Sequence, residues 1–546
     1  MSEVFPVTRR QFITTSGLAA ASLQSGCFTL GHKCPPPYFM EKAPGAVYID
    51  THGHIFNGAD IPIRGFMYQV LLGEHPDRPT WWLTLLKPLL NTVVALIQKN
   101  QDNWKVEDHF LDDLLAEQDK IEKEKNPTGD RFISRQILHD ILEPKFKQDD
   151  EMVFKTLSKS IKEFGGAQKL LKPYTKKVAK LVQQPARAVG LDLTIRLSEE
   201  VSEIVKWLGR LAKFRVFNMY EWVRTYPSVD IFMPSFLDVE AWIKNDGMLK
   251  PDQRVSIEQQ MILYGKIARL FRGRVLPMIG FDPMRSPGDD ALKVVKTALT
   301  DHGFVGVKLY PPMGFRGFNN EEIPDSEFPS KHGTDVGKRI DAQLKGLYEL
   351  CLEQDACVLA HCEDSMESSK GYKLRAHPLH WKQLIEGDDR YKNLRLNLGH
   401  FGGMSDLNNG LDETGTNGRG WAKLIARDMM QPDRKVYVDT GDFNGMKRLK
   451  DRELYHRQLK TLIDGNPDVE NKLMYGSDWY MLAKEPGSTY YLHYWHQAQL
   501  RHFPDSMDKF FGHNALNWMG LSDPNSVAKK RLTAYFDRFG LTPDWG

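Results

Sequence analysis

The first strand pattern of the chain is Val47-Tyr48-Ile49-Asp50-Thr51-His52-Gly53-His54, a short apolar run that ends in two histidines one residue apart. Residues i and i+2 of a strand point to the same face, so the imidazoles of His52 and His54 project together. Gly53 leaves room between them. This arrangement suits two ligands of one metal ion, although a His-x-His pair by itself is more often incidental. The other ligands have to come from elsewhere in the chain.

A regular rhythm of apolar strand patterns begins at residue 229. Further strand candidates start near residues 274, 304, 357, 394, 435 and 473, with amphipathic helical patterns between them. This alternation predicts successive βαβ units and a parallel sheet. Together with the strand at residue 47 there are eight strands, the number in a (β/α)₈ TIM barrel. An open doubly wound sheet is the competing α/β architecture, but no Gly-x-Gly-x-x-Gly follows the first strand to support it.

Residues 58–228 interrupt the rhythm with mainly helical patterns. Their position makes them an insertion at the C-terminal end of strand 1, which is the end of a barrel that carries the active site. We therefore expect a lid or a substrate wall there. The predicted barrel consists of residues 47–57 and 229–530, and residues 531–546 are expected to form a C-terminal tail.

Histidine, lysine and aspartate side chains recur at the ends of the predicted strands. In a barrel these ends converge on one mouth, so the side chains would face a single pocket. Imidazole nitrogen and carboxylate oxygen without thiolate suit a divalent transition metal. One such histidine would more often be structural, but several on different strand ends favour a metal site. The residues are His52, His54, Lys308, His361, His400 and Asp478.

The pattern resembles the amidohydrolase superfamily of metal-dependent (β/α)₈ enzymes, and within it the amidohydrolase 2 branch of decarboxylases and hydrolases of small organic acids. Residues 306–315 (GVKLYPPMGF), 396–403 (LNLGHFGG) and 510–520 (FFGHNALNWMG) carry the closer likeness. The resemblance implies His52, His54, His361 and Asp478 as metal ligands.

Two further residues have open roles under this resemblance. His400 would bind a second metal or, at a one-metal site, act as an acid/base or carbonyl-polarising group. Lys308 could bridge two metals as a carbamate or bind a substrate carboxylate as an ammonium. Zinc is the expected ion, with one or two bound.

The expected chemistry is hydrolysis of an amide, lactone or ester of a small organic substrate. A bound divalent metal lowers the pKa of its water to about 7, and Asp478 and His400 would be the catalytic groups. Metal-dependent decarboxylation of a small carboxylic acid, aromatic acids included, is the alternative reaction. A cell-surface binding protein on a retained barrel is the alternative of another class.

Three further residues are candidates for substrate contact. Glu363 follows strand 5 and could bind hydroxyl groups, although acidic loop residues are usually solvated. Asp439 follows strand 7, at the correct end of the barrel. Arg375 could bind a carboxylate, and a role at the start of a helix is equally compatible with its position.

The N-terminus predicts an exported protein. Paired Arg9 and Arg10 followed by a mildly apolar run resemble a twin-arginine signal over residues 1–27, which directs a protein to the periplasm or cell envelope. Cys27 is a possible site of lipid attachment, which would tether the protein to the membrane. The proline-rich residues 28–46 are predicted to form a linker. The formal net charge of +2 gives no electrostatic argument for nucleic acid. The expected partner is a small molecule, and homo-oligomerisation stays open.

Overall fold

The computed structural model describes residues 40, 42–71, 81–99, 103–163, 203–243, 249, 253–285, 290–403, 420–543 and 545. The predicted export signal and Cys27 lie outside these residues, as does most of the predicted linker. Parts of the predicted insertion, residues 72–80, 100–102 and 164–202, also lie outside them.

Eight short strands form the centre of the fold, and every neighbouring pair is parallel. They match the eight predicted strands in order and position. Their residues are buried along their whole length, as expected of parallel strands covered on both faces. The strands are β1 Ile49–Gly53, β2 Ile231–Pro234, β3 Met278–Gly280, β4 Gly306–Leu309, β5 Cys357–His361, β6 Leu396–Gly399, β7 Val436–Asp439 and β8 Leu473–Met474.

The strands follow one another around a ring in chain order. Strands β3 to β8 form one six-stranded sheet, and β1 pairs with β2. Single parallel bridges join the two groups: Ser235 pairs with Met278 between β2 and β3, and Gly53 pairs with Trp479 beyond the end of β8. The ring is therefore closed, and the carboxyl ends of all eight strands meet at one mouth.

Helices alternate with these strands and cover them. Their apolar faces pack on the strands, and the helix from Ile257 begins with a capping box between Ser256 and Gln259. The main helices after β2 are Ile257–Leu270, Asp290–Asp301, Val336–Glu353, Pro378–Gly387, Leu449–Gly465, Tyr491–His502, Asn514–Met519 and Val527–Asp537.

The chain between β1 and β2 is helical in its described parts, as the sequence predicts. It contains a π-helical turn, Phe66–Leu71, and the helices Trp81–Lys99, Asn103–Lys125, Arg131–Glu163 and Arg215–Thr225. Arg215 is wholly buried and pairs with Asp60 and Glu107, so the helix from Asn103 is tied to the loop that follows β1. Within the described ranges, no helix combines the length and apolarity needed to cross a membrane.

The end of the chain packs more closely than the predicted tail implies. Residue 531 lies inside the helix Val527–Asp537, whose side chains Leu532 and Phe536 are fully buried. They belong to one apolar cluster with Ile49 and Cys357, the first residues of β1 and β5. This correction has a simple physical cause: the ring needs an apolar cover at the end opposite its mouth.

Candidate metal centre

The structure brings the six predicted strand-end residues to the mouth of the ring. His52 lies in β1, Lys308 in β4 and His361 at the last position of β5. His54, His400 and Asp478 follow β1, β6 and β8. All six side chains are buried.

His52 is held between a carboxylate and an amine. Its Nδ1 lies 3.1 Å from both carboxylate oxygens of Asp439, and its Nε2 lies 2.8 Å from the Lys308 Nζ. Burial, followed by the charge of Lys308, lowers the pKa of His52 to about 3. The imidazole is therefore neutral at neutral pH, as a metal ligand must be. Burial also lowers the pKa of Lys308, to about 8.

Backbone carbonyls fix the tautomers of two more histidines. The Nδ1 of His54 is 2.7 Å from the Ser235 carbonyl oxygen, and the Nδ1 of His400 is 3.0 Å from the Gly441 carbonyl oxygen. A carbonyl only accepts hydrogen bonds, so each Nδ1 must carry the proton. The unprotonated Nε2 of neutral His54 is then free to bind a cation, and so is that of neutral His400.

The Asp478 carboxylate lies beside these nitrogens. Its Oδ1 is 3.4 Å from the His54 Nε2 and 3.9 Å from the His52 Nε2. This oxygen is buried and has no hydrogen-bond partner among the residues that the structure describes. Burial raises the pKa of Asp478 to about 7, against the opposing effect of His400. A buried carboxylate oxygen without a donor, next to imidazole nitrogens, fits a divalent cation.

Among the described residues there are two overlapping groups in which the possible ligand atoms lie within 4.8 Å of one another. The first contains His52, His400 and Asp478, and the second contains His361, Glu363 and His400. Both combine nitrogen and oxygen donors, which suit zinc better than magnesium or calcium. The geometry thus provides ligands for one or two ions, with His400 common to both groups.

The backbone is strained beside these ligands. His400 has φ +67° and Phe401 has φ +47°, while Asp478 and Tyr480 have φ +53° and +85°. Left-handed conformations of non-glycine residues cost about 1–3 kcal/mol and cluster at functional sites. The carboxyl ends of β6 and β8 therefore adopt costly turns where they carry predicted ligands.

A narrow cavity opens above the ligands and has walls of mixed character. Its apolar lining comes from Phe66, Leu237, Met366 and Met481. Tyr310 also lines it and stacks on the His361 ring at 4.6 Å between centroids. Two carboxylates besides Asp478, those of Glu363 and Asp442, face the same space. Glu363 therefore occupies a position from which it can contact a substrate.

The structure corrects two predicted substrate contacts. Asp439 is wholly buried away from the cavity, where it accepts hydrogen bonds from Asn397 and from the backbone N–H of Gly441. Arg375 donates to the carbonyl oxygens of Gly314 and Glu327 and lies outside the cavity lining. Neither side chain lines the cavity, so the structure gives no support to their predicted contact with a substrate.

Gly53 also differs from expectation. A Cβ at this position would lie 2.3 Å from the Trp222 ring. The absence of a side chain at Gly53 therefore accommodates that indole, whereas the sequence suggested that it leaves room between the two histidines.

Sequence reasoning did not single out Ser365 or Phe66. Ser365 lies only four residues after His361, and its hydroxyl is 3.2 Å from the His361 Nε2. A polar residue so soon after a strand-end histidine is a usable signal. Phe66 gives no such signal, because it reaches the cavity from the helical region between β1 and β2. Asp442 lies three residues after the predicted Asp439, in the turn that follows β7.

A family model described as amidohydrolase matches residues 263–521, which include Lys308, His361, His400 and Asp478. A search of curated proteins gave no match.

Two solved structures illustrate the likeness. One, from Acinetobacter baumannii, is described as a probable 2-pyrone-4,6-dicarboxylic acid hydrolase with citric acid bound; it is 12% identical over 56% of this chain and 88% of its own, with a TM-score of 0.34. The other, an amidohydrolase from Burkholderia multivorans with bound zinc, is 13% identical over 57% of this chain and 91% of its own, with a TM-score of 0.36. The match to the amidohydrolase family model thus extends over residues 263–521 of the chain.

Proposed function

We propose that the protein is a metal-dependent hydrolase that cleaves an amide, lactone or ester of a small organic substrate. His52, His54, His361 and Asp478 would hold a divalent ion, for which zinc is the best fit to the donor set. His400 would either complete a second site or act on the substrate. The observation that carries the proposal is the buried Asp478 Oδ1, which lacks a donor and lies 3.4 Å from the His54 Nε2.

When bound, such an ion lowers the pKa of a water molecule and polarises a carbonyl group. The residues of the chain would supply the proton transfers. Asp478 has a carboxylate oxygen with no other partner, so this atom can take the proton of the attacking water. His400 also lines the cavity, and once its Nε2 has taken up a proton it can pass that proton to the leaving group or stabilise charge on the attacked oxygen.

The walls of the cavity would orient the substrate and limit water. Phe66, Leu237, Met366 and Met481 provide apolar surface around the ligands. Phe66 comes from the region between β1 and β2, which supports our proposal that residues 58–228 form a lid or substrate wall. Glu363 would accept a hydrogen bond from a hydroxyl or amine of the substrate.

Metal content tests the proposal directly. The wild-type protein is expected to hold at least one zinc per chain by elemental analysis. The double variant His52→Ala/His54→Ala should lose it and keep its circular dichroism spectrum. The matched control His109→Ala/His513→Ala removes two exposed histidines and should retain the metal. Full metal occupancy in His52→Ala/His54→Ala would contradict the assignment of these two residues to the metal site.

Turnover tests the reaction class. A panel of amides, esters and lactones should show metal-dependent hydrolysis that the Asp478→Asn variant lacks. The apolar cavity walls also suit loss of CO₂ from a carboxylate, because charge spreads in that transition state. Release of CO₂ from a panel of small carboxylic acids, without hydrolysis, would establish the decarboxylase alternative. Saturable ligand binding without turnover of either panel would favour the binding-protein alternative.

A further inference from the structure

A short hydrogen-bonded chain lies beside His361, in the loop after β5. Ser365 donates from its hydroxyl to the Glu363 carboxylate at 2.9 Å, and the Ser365 Oγ is 3.2 Å from the His361 Nε2. The Ser365 backbone N–H also donates to the Glu363 carbonyl at 2.9 Å, which holds the turn. The chemistry proposed above uses neither of these hydrogen bonds.

The protons of this chain can be assigned from the chemistry of its groups. An ionised carboxylate only accepts hydrogen bonds, so the single hydroxyl proton of Ser365 is directed to Glu363. The Ser365 oxygen must then accept from His361, which places the imidazole proton on Nε2. His361 is thereby left with its lone pair on Nδ1. This tautomer is opposite to that of His54 and His400, whose Nδ1 atoms carry the proton.

The free nitrogen of His361 faces a second free nitrogen. The His361 Nδ1 lies 3.0 Å from the His400 Nε2, and the His400 Nδ1 already donates to the Gly441 carbonyl. Two lone pairs at that distance repel unless a positive particle lies between or beside them. A proton on the His400 Nε2, or a metal ion beside both nitrogens, relieves this repulsion.

We propose that Ser365 and Glu363 are positioning residues that select the His361 tautomer with a free Nδ1. They act through His361, and the proposal rests on the proposed metal-dependent function. Without the Ser365 hydroxyl, the imidazole proton is no longer held on Nε2 and can occupy Nδ1. A proton there removes one ligand atom from the site. Groups that orient metal-binding histidines in this way typically change metal affinity by about 10- to 100-fold.

Zinc affinity, measured by competition with a chromophoric chelator on metal-free protein, tests this role. Ser365→Ala and Glu363→Gln should weaken zinc binding by about 10- to 100-fold. Ser365→Thr keeps the hydroxyl and should bind like the wild type. Ser368→Ala is the matched control, since Ser368 is a buried neighbour that bonds to the Met313 carbonyl and not to His361. Wild-type affinity in Ser365→Ala, or equal weakening in Ser365→Thr, would overturn the proposal.

A second measurement separates this proposal from the proposed function. Nitrogen-15 spectra of histidine-labelled, metal-free protein at pH 8 report which ring nitrogen carries the proton. The wild-type His361 signal, assigned with a His361→Gln variant, should show a protonated Nε2. In Ser365→Ala it should shift towards the other tautomer. A protonated Nδ1 in the wild type contradicts the positioning role even if zinc binds, whereas a protein that binds no zinc and keeps the expected tautomer contradicts only the proposed function.

Discussion

The Nδ1 of His52 lies 3.1 Å from both carboxylate oxygens of Asp439, a residue 387 positions further along the chain. Burial opposes the charge of Asp439, but His52 and nearby donors outweigh it and lower the pKa of Asp439. The carboxylate is therefore ionised, accepts the Nδ1 proton of His52 and turns the His52 Nε2 towards the cavity. A carboxylate that orients a metal-binding histidine both fixes the ring and raises its basicity.

Replacement of Asp439 should weaken metal binding without direct loss of a ligand. Asp439→Asn keeps the shape of the side chain and removes its charge, so zinc affinity should fall by about 10- to 100-fold. Asp442→Asn, three residues away and exposed to the cavity, should have a much smaller effect. The measurement is chelator competition on metal-free protein. Equal affinities in wild type and Asp439→Asn would show that His52 does not depend on this contact.

Removal of the metal should lower both activity and stability. A ligand that binds only the folded state stabilises it by about 2.7 kcal/mol at a free concentration one hundred times its dissociation constant. Dialysis against a chelator should therefore lower the thermal midpoint and abolish turnover, and added zinc should restore both. Magnesium is the control, because imidazole nitrogens are poor ligands for it. Unchanged thermal midpoints with and without zinc would contradict the proposed site.

The strands and the histidine, lysine and aspartate residues at their ends could be predicted because the relevant signals are local. A parallel strand covered on both faces is a continuous apolar run, as in Val436–Asp439, and a histidine directly after such a run marks the mouth. Hydrogen-bond partners are not local. Asp439 and Asp442 occur in one Asp-Thr-Gly-Asp stretch, and only the turn at Asp442, with φ +50°, decides which carboxylate faces the cavity.

The hydrogen-bond partners of Arg375 also could not be predicted from the local sequence. Its charge suggested a substrate carboxylate as partner, but carbonyl oxygens of Gly314 and Glu327 accept its hydrogen bonds. It precedes the helix Pro378–Gly387, whose first turn is capped by His377. The pairing depends on the path of the chain near residues 314 and 327, which composition and periodicity do not specify.

The buried Arg215 should be essential for stability. It donates to Asp60 and Glu107, and all three side chains are wholly or almost wholly buried. Arg215→Met leaves two buried carboxylates without their cation, which typically costs about 3–5 kcal/mol. Lys266→Met is the control, since its pairs with Asp108 and Asp112 are partly exposed and should contribute about 1 kcal/mol or less. Urea unfolding measures both; similar losses in the two variants would contradict the special role of Arg215.

A methyl group at Gly53 should disturb the first strand. The added Cβ would lie 2.3 Å from the fully buried Trp222 ring, whose Nε1 donates to Asp50 at 3.1 Å. Overpacking of this kind typically costs about 1–3 kcal/mol. Gly387→Ala meets no atom within 4 Å and should leave the free energy of unfolding nearly unchanged. If Gly53→Ala unfolds at the wild-type urea concentration, the indole is not held as tightly as this contact implies.

Stability should fall at acidic pH through His456, a buried residue distant from the metal centre. Burial lowers its pKa to about 4 from an ordinary value of 6.5, and its ring packs on Trp495 beside His502 and Glu453. The unfolded chain therefore binds the proton more readily, so the His456 contribution is present above pH 6.5 and is lost as the pH falls towards 4. Between pH 7.5 and pH 5 this loss should be about 2 kcal/mol.

The variant His456→Phe isolates that contribution. It keeps a ring against Trp495 and removes the titrating group, so its free energy of unfolding should fall less than that of the wild type between pH 7.5 and pH 5. His513→Phe, at an exposed position, should retain the wild-type pH dependence. Parallel urea titrations at both pH values measure the difference. If the free energy of unfolding of His456→Phe falls as much as that of the wild type between pH 7.5 and pH 5, groups other than His456 cause the acid sensitivity.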